Sequence, residues 1–514
     1  MGAGKRILRF LDHRRQTLLV VSLFLIVVGA RAVVISYAGN VTPYADEWDG
    51  AAANLLKPYL RGSLTIRDLF RPHNEHVIFF TRLLILGVFN VSGYWDVVLE
   101  MIVNAIVDAA TVVAISYALS RSLRDTWALP AIILSVLVNA LPLSFDNLLF
   151  GFNTHFYLLL AFSFASLWFM AGSRAWSPRW AAGVLFALGS FLCMASGALT
   201  FAAAIGLHLV QLACGRRSGR REWLGIAALA ATMAVLMSFI PHVPSSDIYG
   251  AHSLKQFLSA ALELASWPAP PNLGTFMAAP SVLFCLRTFA DRPALSDARW
   301  FNVAAFGWIL TQFAALAAGR ALVPVEVRYM DSLLIGLAVN MTSFFWIVES
   351  YAGRGNRGIW WSAALAAWLF VVAASLVRPA HPLPGSVEWR RQTAEVQERN
   401  VRSYLATGDA SYLAGAPLSD IPYFEATRLR GLLGAPEIRA ALPPQLLSRE
   451  APSNGVEAFK RTFLGHGYVW LGVGFFLLIG AVALALARPF DSIMRAPVRD
   501  GRLEPPRRVG KSSL

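Results

Sequence analysis

Residues 17–37 read TLLVVSLFLIVVGARAVVISY, an apolar run interrupted by one charge at Arg31, and the chain then passes into Pro43-Tyr44-Ala45-Asp46-Glu47-Trp48-Asp49. A bilayer core about 30 Å thick is crossed by roughly 20 apolar helical residues. The run therefore reads as a membrane span, and the acidic heptapeptide as the opening of the loop beyond it. Working outward, similar runs recur at 97–119, 127–143, 154–171, 181–196, 198–213, 224–241, 273–286, 300–318, 331–349, 359–377 and 467–487, which makes twelve. Composition agrees, because 56% hydrophobic residues, 15% charged residues and a mean hydropathy of +0.52 do not fit a water-facing surface. The expected fold class is an all-α polytopic membrane protein of about 12 transmembrane helices.

The formal charge of +14 would point to nucleic acid in a soluble chain. Sorting the charges by membrane side removes that reading. Segments 1–16, 120–126, 172–180, 214–223, 286–299, 351–358 and 488–514 hold 25 basic and 8 acidic residues, a net of +17, while the rest of the chain holds 20 and 23, a net of −3. Basic loops mark the cytoplasmic side, so both termini are expected to be cytoplasmic. Counting the apolar stretch 77–93 as a span would reverse every later loop. It reads instead as an interfacial helix with Arg82 facing the headgroups. The triplet Ala30-Arg31-Ala32 resembles a signal-peptidase site, but the run continues to Tyr37 and a first helix is needed to orient the rest. Cys193, Cys214 and Cys285 lie in or at the ends of apolar runs, too scattered for a disulfide framework or a thiolate metal site.

This orientation divides the chain into a transmembrane module 1–377 that includes a first outer loop 38–96, a late helical cap 378–466, and a last span with a basic tail, 467–514. The cap reads as short helices at 385–405, 423–433 and 436–442, and at about ninety residues it is expected to lean on the outer loops. The basic tail, 489–514, reads as disordered. Inner loops are too short for a domain that uses ATP or a cytosolic sugar nucleotide. No internal repeat is evident, which weakens an inverted-repeat transporter.

Three polar clusters fall on the outer side. Asp46, Glu47 and Asp49 follow the first span. One carboxylate is suited to act as general base toward a hydroxyl and a neighbour to hold a cation, although a solvated loop with a capping Asp accounts for them equally well. Phe70-Arg71-Pro72-His73-Asn74-Glu75-His76 crowds two imidazoles, an amide and a carboxylate into four positions. If helical, His73 and His76 share a face, for phosphate hydrogen bonds or a divalent metal; the plainer reading is a polar helix start. Arg320 and Arg328, with Glu326, Tyr329 and Asp331, lie where the positive-inside rule disfavours cations, as an anion site or as structural ion pairs. Asp146, Asn147, Asn153, His155, His242, His252 and Lys255 are secondary candidates, and Glu100 is a candidate for the same cavity. The run Gly353-Arg354-Gly355-Asn356-Arg357-Gly358 matches a dinucleotide fingerprint by letter but joins two spans, and the N-terminal Met1-Gly2 start has Arg6 where a myristoylation signal needs Ser or Thr.

A first helix followed by adjacent acids, about a dozen spans, charges converging outside and a late outer domain together resemble the GT-C superfamily of membrane glycosyltransferases. Similar enzymes are the lipid A aminoarabinose transferases, protein O-mannosyltransferases and arabinofuranosyltransferases, with Asp46-Glu47 matching the acidic motif. The resemblance implies an inverting transfer of sugar from a polyprenyl-phosphate donor to a hydroxyl of a glycan, lipid or protein acceptor, at the outer face of a bacterial inner membrane. Asp46 would be the base and Glu47 would orient the acceptor or a cation. Arg320, Arg328 and one of His73 and His76 would stabilise the leaving phosphate, with Asn74, Glu75 and Tyr329 beside them. A divalent Mg or Mn, held by Asp46, Glu47, His73 and His76, is left open. The family's phosphate-binding Lys has only Lys57 as a counterpart in the first loop. The alternative from another class is a secondary transporter or flippase for an anionic lipid or solute, using the same charges as a binding site.

Overall fold

The computed structural model describes residues 2–450, 452 and 454–486, so the expected disordered tail lies outside them. Helices dominate: α1 (Gly2–Ala38), α2 (Phe79–Ser92), α3 (Val97–Ser120), α4 (Asp125–Ala140), α5 (Thr154–Ala171), α6 (Pro178–Cys193), α7 (Leu199–Ala213), α8 (Arg220–Ser238) and α9 (Leu254–Ser266) form the first half. Then follow α10 (Gly274–Asp291), α11 (Arg299–Gly319), α12 (Met330–Tyr351), α13 (Asn356–Ala380), α14 (Leu383–Thr407), α15 (Ala426–Gly434), α16 (Pro436–Ala441), α17 (Gly455–Gly465) and α18 (Gly467–Leu486). Among the described residues no β-strand forms, and ten helices are long and apolar enough to cross a membrane. This is the architecture of a multi-pass helical membrane protein.

Two of the twelve expected runs fold as helices shorter than the ten long ones. The 127–143 run folds as α4, which stops at Ala140 because Leu141 is extended, as the residue before Pro142 is biased to be. The 181–196 run folds as α6, which Ser177 caps by accepting from the Trp180 amide at 3.2 Å and which ends where Met194 turns extended. Each is 16 residues, about 24 Å at 1.5 Å per residue. That is short of the bilayer core, although both remain apolar.

The last span returns to the first. Gly29 and Gly474 let α1 and α18 touch backbone to backbone: a β-carbon on Gly29 would lie 2.6 Å from the Leu471 nitrogen, and one on Gly474 would lie 2.9 Å from the Ile26 nitrogen. Contacts also sort the two ends of the bundle. At one end Arg15 meets Asp125 at 3.2 Å, Arg124 pairs with Glu349, Arg217 pairs with Glu222 at 2.8 Å, and Arg299 stacks on Trp346. The basic loops thus gather at one end. The first loop and the cap gather at the other.

At that second end α14 follows α13 after only His381 and Pro382, and the expected cap helices appear as α14, α15 and α16. Trp48, Leu55, Leu56 and Trp95 of the first loop share one apolar core with Val401, Leu429, Leu433 and Ile438 of the cap. Asp49 joins them further, taking Arg428 Nε at 2.7 Å and the Tyr423 hydroxyl. The amphipathic α17, which the sequence reading did not single out, docks by Lys460, whose ammonium donates to Asp96 at 2.6 Å and to the Tyr94 hydroxyl at 2.7 Å.

Candidate active site

The His73–His76 segment is not helical. It is a tight turn in which His73 N–H donates to His76 O at 2.7 Å and His76 N–H to His73 O at 3.0 Å, with Asn74 at φ +51° on its exposed tip. Residues paired in this way project side chains to one side, so the turn delivers both imidazoles inward by a route other than the expected helical face. The device that holds it is Arg82. Rather than facing headgroups, this arginine is buried, and its Nη1 donates to the carbonyls of Leu69 (2.9 Å), Arg71 (2.5 Å) and Val77 (3.0 Å) on both flanks of the turn. Arg82 satisfies carbonyls that the loop conformation would leave unpaired.

Asp46 stands opposite the turn. Its carboxylate is half-exposed and lies 3.7 Å from His73 Nε2, longer than a hydrogen bond, and that nitrogen is buried with no hydrogen-bond partner. Burial by itself would raise the Asp46 pKa. The His73 imidazole, together with the positive field of Arg328, outweighs burial and holds it below the usual carboxylate value. Glu47 is different. It is buried, its Oε2 accepting from the Tyr44 amide at 2.6 Å and its Oε1 from the Phe152 amide at 3.2 Å. Burial pushes its pKa up to about 8 against those amide bonds. Glu47 therefore pins the acidic loop to the start of α5. Beyond it, residues 48–56 wind as a π-helix.

Next to the turn, a cavity of about 540 Å³ runs along α5, α7, α8 and α11. Its walls are apolar, from Phe156, Leu159, Leu199, Met237, Ile240 and Leu316, and its polar end is made by Glu75, His76, Arg320 and Tyr329. Arg320 lies 4.0 Å from Glu75 and over the Tyr249 ring at 5.5 Å. Ser246, from the loop before α9, donates to Glu75. Burial tends to raise Glu75, but the Ser246 hydroxyl, His76 and Arg320 bring it below its ordinary value. Burial drives His76 down to about 4, so the ring is neutral near pH 7. The Ala195 amide approaches His76 Nδ1 at 3.4 Å, which leaves the proton on Nε2 as a donor.

Below these groups the interior stays polar. Asn147 donates to Arg328 O at 2.8 Å and to Asp331 at 2.9 Å, and Asn153 donates to Asn147 at 3.1 Å. Arg31 bonds Asp108 at 2.9 Å and the Asn139 carbonyl at 2.8 Å, closing the C-terminal end of α4. Buried ion pairs of this kind fix register more than they stabilise.

The structure thus brings together Asp46, His73, Glu75, His76, Arg320, Arg328 and Tyr329. Arg328 reaches the cluster while paired with Glu326 at 2.8 Å. Lys57 does not join: it opens the short helix Lys57–Leu60 and its field acts on Glu437 of the cap. His155 stacks near His76, ring centres 6.4 Å apart, whereas His242 pairs with Asp247 at 3.3 Å on the surface and His252 and Lys255 are exposed. Glu100 packs against Gly151, neither carboxyl oxygen having a hydrogen-bond partner, and does not line the groove. Arg82, Ser246 and Arg390, which lies 4.0 Å over the Tyr44 ring, were not foreseen. Ser246 and Arg390 act on residues distant in sequence, whereas Arg82 acts on the loop just before its own helix. Of the metal donors suggested by the sequence, Asp46 and His73 lie together, and among the described residues no group of three His, Cys, Asp or Glu donors suited to a metal ion forms. No protein-family model, curated protein or solved structure matches the chain.

Proposed function

We propose that the protein is an inverting glycosyltransferase of the GT-C type, moving a sugar from a polyprenyl-phosphate donor to a hydroxyl acceptor. The observation that carries this reading is one four-residue turn joining two features: His76 closes the polar end of an apolar groove, and three residues earlier His73 sits beside an ionised Asp46. An isoprenoid chain suits the groove, and a phosphate suits the Arg320 guanidinium and the His76 Nε2 donor. Asp46 then takes the proton of the attacking hydroxyl. The acceptor oxygen bonds to the anomeric carbon as the carbon–oxygen bond to the phosphate breaks, and the electron pair leaves on the polyprenyl phosphate. Cations fixed in place beforehand favour that growing charge. Glu47 serves this step by positioning Asp46.

The charge distribution supports an orientation with both termini cytoplasmic and the site extracytoplasmic, since the basic loops collect at the end opposite Asp46; a bacterial inner membrane is part of the same proposal. A flippase or transporter of an anionic lipid is the second reading, favoured by the buried Arg31, Asp108 and Asp331 beneath the site. The test is sugar transfer from a polyprenyl-phosphate donor in liposomes. Loss of a general base is expected to slow Asp46→Asn by about 10²- to 10⁴-fold. Full activity in Asp46→Asn sinks the assignment, and transport in sealed vesicles without a covalent product favours the flippase.

A further inference from the structure

A second cavity, of about 690 Å³, opens between the cap and the bundle, lined by Phe145, Asp146, Val327, Ser386, Trp389 and Arg390. It adjoins the Asp46 loop: Arg390 stacks at 4.0 Å over Tyr44, two residues before Asp46, and Val327 precedes Arg328. Arg390 is the unusual residue there. It is only 7% exposed, yet its Nε and Nη1 are buried without a hydrogen-bond partner. The other buried arginines among the described residues spend most of their head groups on hydrogen bonds: Arg31 on Asp108 and a carbonyl, Arg217 on Glu222 and Gln211, and Arg82 on three carbonyls with only its Nε left unpartnered. Unmet buried donors on a charged group are costly to keep. Glu47, a carboxyl on which the Arg390 field acts, is already committed to two backbone amides.

The surroundings of Arg390 narrow the ligand. Trp389 is 62% exposed at the cavity, offering an aromatic face to the C–H side of a sugar ring. Asp146 and Ser386 offer acceptors and a donor for hydroxyls. A guanidinium matches a carboxylate or phosphate in two-point geometry. The volume falls within the range of small-molecule sites.

We propose that this cavity is the acceptor site and that the acceptor is an anionic saccharide, its acidic group on Arg390 and its ring against Trp389. The proposal rests on the transferase reading and names the substrate class for it. The reacting hydroxyl lies on the Asp46 side, gives its proton to Asp46 and bonds to the anomeric carbon, while the polyprenyl phosphate leaves with the bonding electrons into the groove.

The test is binding to the full chain in detergent, followed by tryptophan fluorescence or calorimetry, with digalacturonate, a galactose phosphate and neutral digalactose as probes. Digalacturonate or the phosphate is expected to bind at least tenfold more tightly than digalactose, and which of the two binds identifies the acidic group. Arg390→Gln is expected to abolish that preference, Arg390→Lys to restore part of it, and the surface change Trp389→Ala to weaken all sugars. Equal binding of charged and neutral sugars overturns the proposal, as does unchanged preference in Arg390→Gln. If Arg390→Gln fails to fold, unaltered binding by Trp389→Ala overturns it. Asp46→Asn is expected to leave binding intact. Arg390-dependent binding together with undiminished transfer by Asp46→Asn leaves the site standing and removes the transferase mechanism.

Discussion

Replacing Arg82 tests whether the imidazole turn is held from behind. In the folded chain Nη1 supplies bonds to three carbonyls, Leu69, Arg71 and Val77, at 2.5–3.0 Å. A hydrogen bond to a charged group contributes about 1.5–3 kcal/mol. Three acceptors share two N–H groups, however, and burying the guanidinium offsets part of the gain, so Arg82→Met is expected to cost about 2–4 kcal/mol locally. At about 1.4 kcal/mol per tenfold, that is roughly 30- to 1,000-fold easier opening of the turn. Hydrogen exchange at the His73 and His76 amides, which close the turn, reads this directly. Sugar transfer should fall in parallel while the thermal midpoint of the bundle moves little. Arg82→Lys, with three donors on one nitrogen but a shorter reach, should be intermediate. Unchanged protection at both amides in Arg82→Met refutes the reasoning.

Three further outcomes follow from the same geometry. Asp46 is held below the ordinary carboxylate range, so transfer measured from pH 8 downward should stay level through pH 5 and decline only further into acid; a decline centred above pH 6 contradicts an ionised Asp46 base. Glu47 is raised in the fold, which means that the stability it contributes is complete below its unfolded value and is lost as pH rises through about 8. The thermal midpoint of the parent should therefore fall between about pH 5 and pH 8 and level off above that, and Glu47→Gln, although less stable at pH 7 for losing an amide bond, should show a flatter profile over that window; parallel profiles disprove this. At Gly50, an added β-carbon would lie 2.3 Å from Phe152, the ring packed edge-on to His73. Gly50→Ala should cost about 1–3 kcal/mol by overpacking and lower transfer, and a melting temperature equal to the parent's would show that the ring moves freely.

Particular residues show how far the sequence could be read. The acidic cluster at 46–49, the imidazoles at 73 and 76 and the arginines at 320 and 328 stood out because charge is scarce in this chain, and of these the fold gathers Asp46 with the imidazoles and the arginines. Their individual directions were not legible. Asp46 and Glu47 are neighbours of the same chemistry, yet one faces the site and the other bonds the Phe152 amide, a partner 105 residues away in sequence. Arg82 looked like a headgroup contact because hydropathy sees its helix and not the carbonyls that the preceding loop folds over it. Arg390 was one arginine among several on an amphipathic helix until stacking on Tyr44 set it apart.

By itself the sequence determined that the chain is apolar enough to live in a membrane, where most helices lie, and how basic and neutral loops alternate between them. Those properties are sums over neighbouring residues, and hydropathy and charge add locally. Tertiary structure decided which apolar runs reach span length, that His73 and His76 meet in a turn, and which carboxylate and which arginine are left without partners. Those outcomes depend on hydrogen bonds and packing between segments far apart in the chain, because a buried polar group takes whatever partner the fold brings to it.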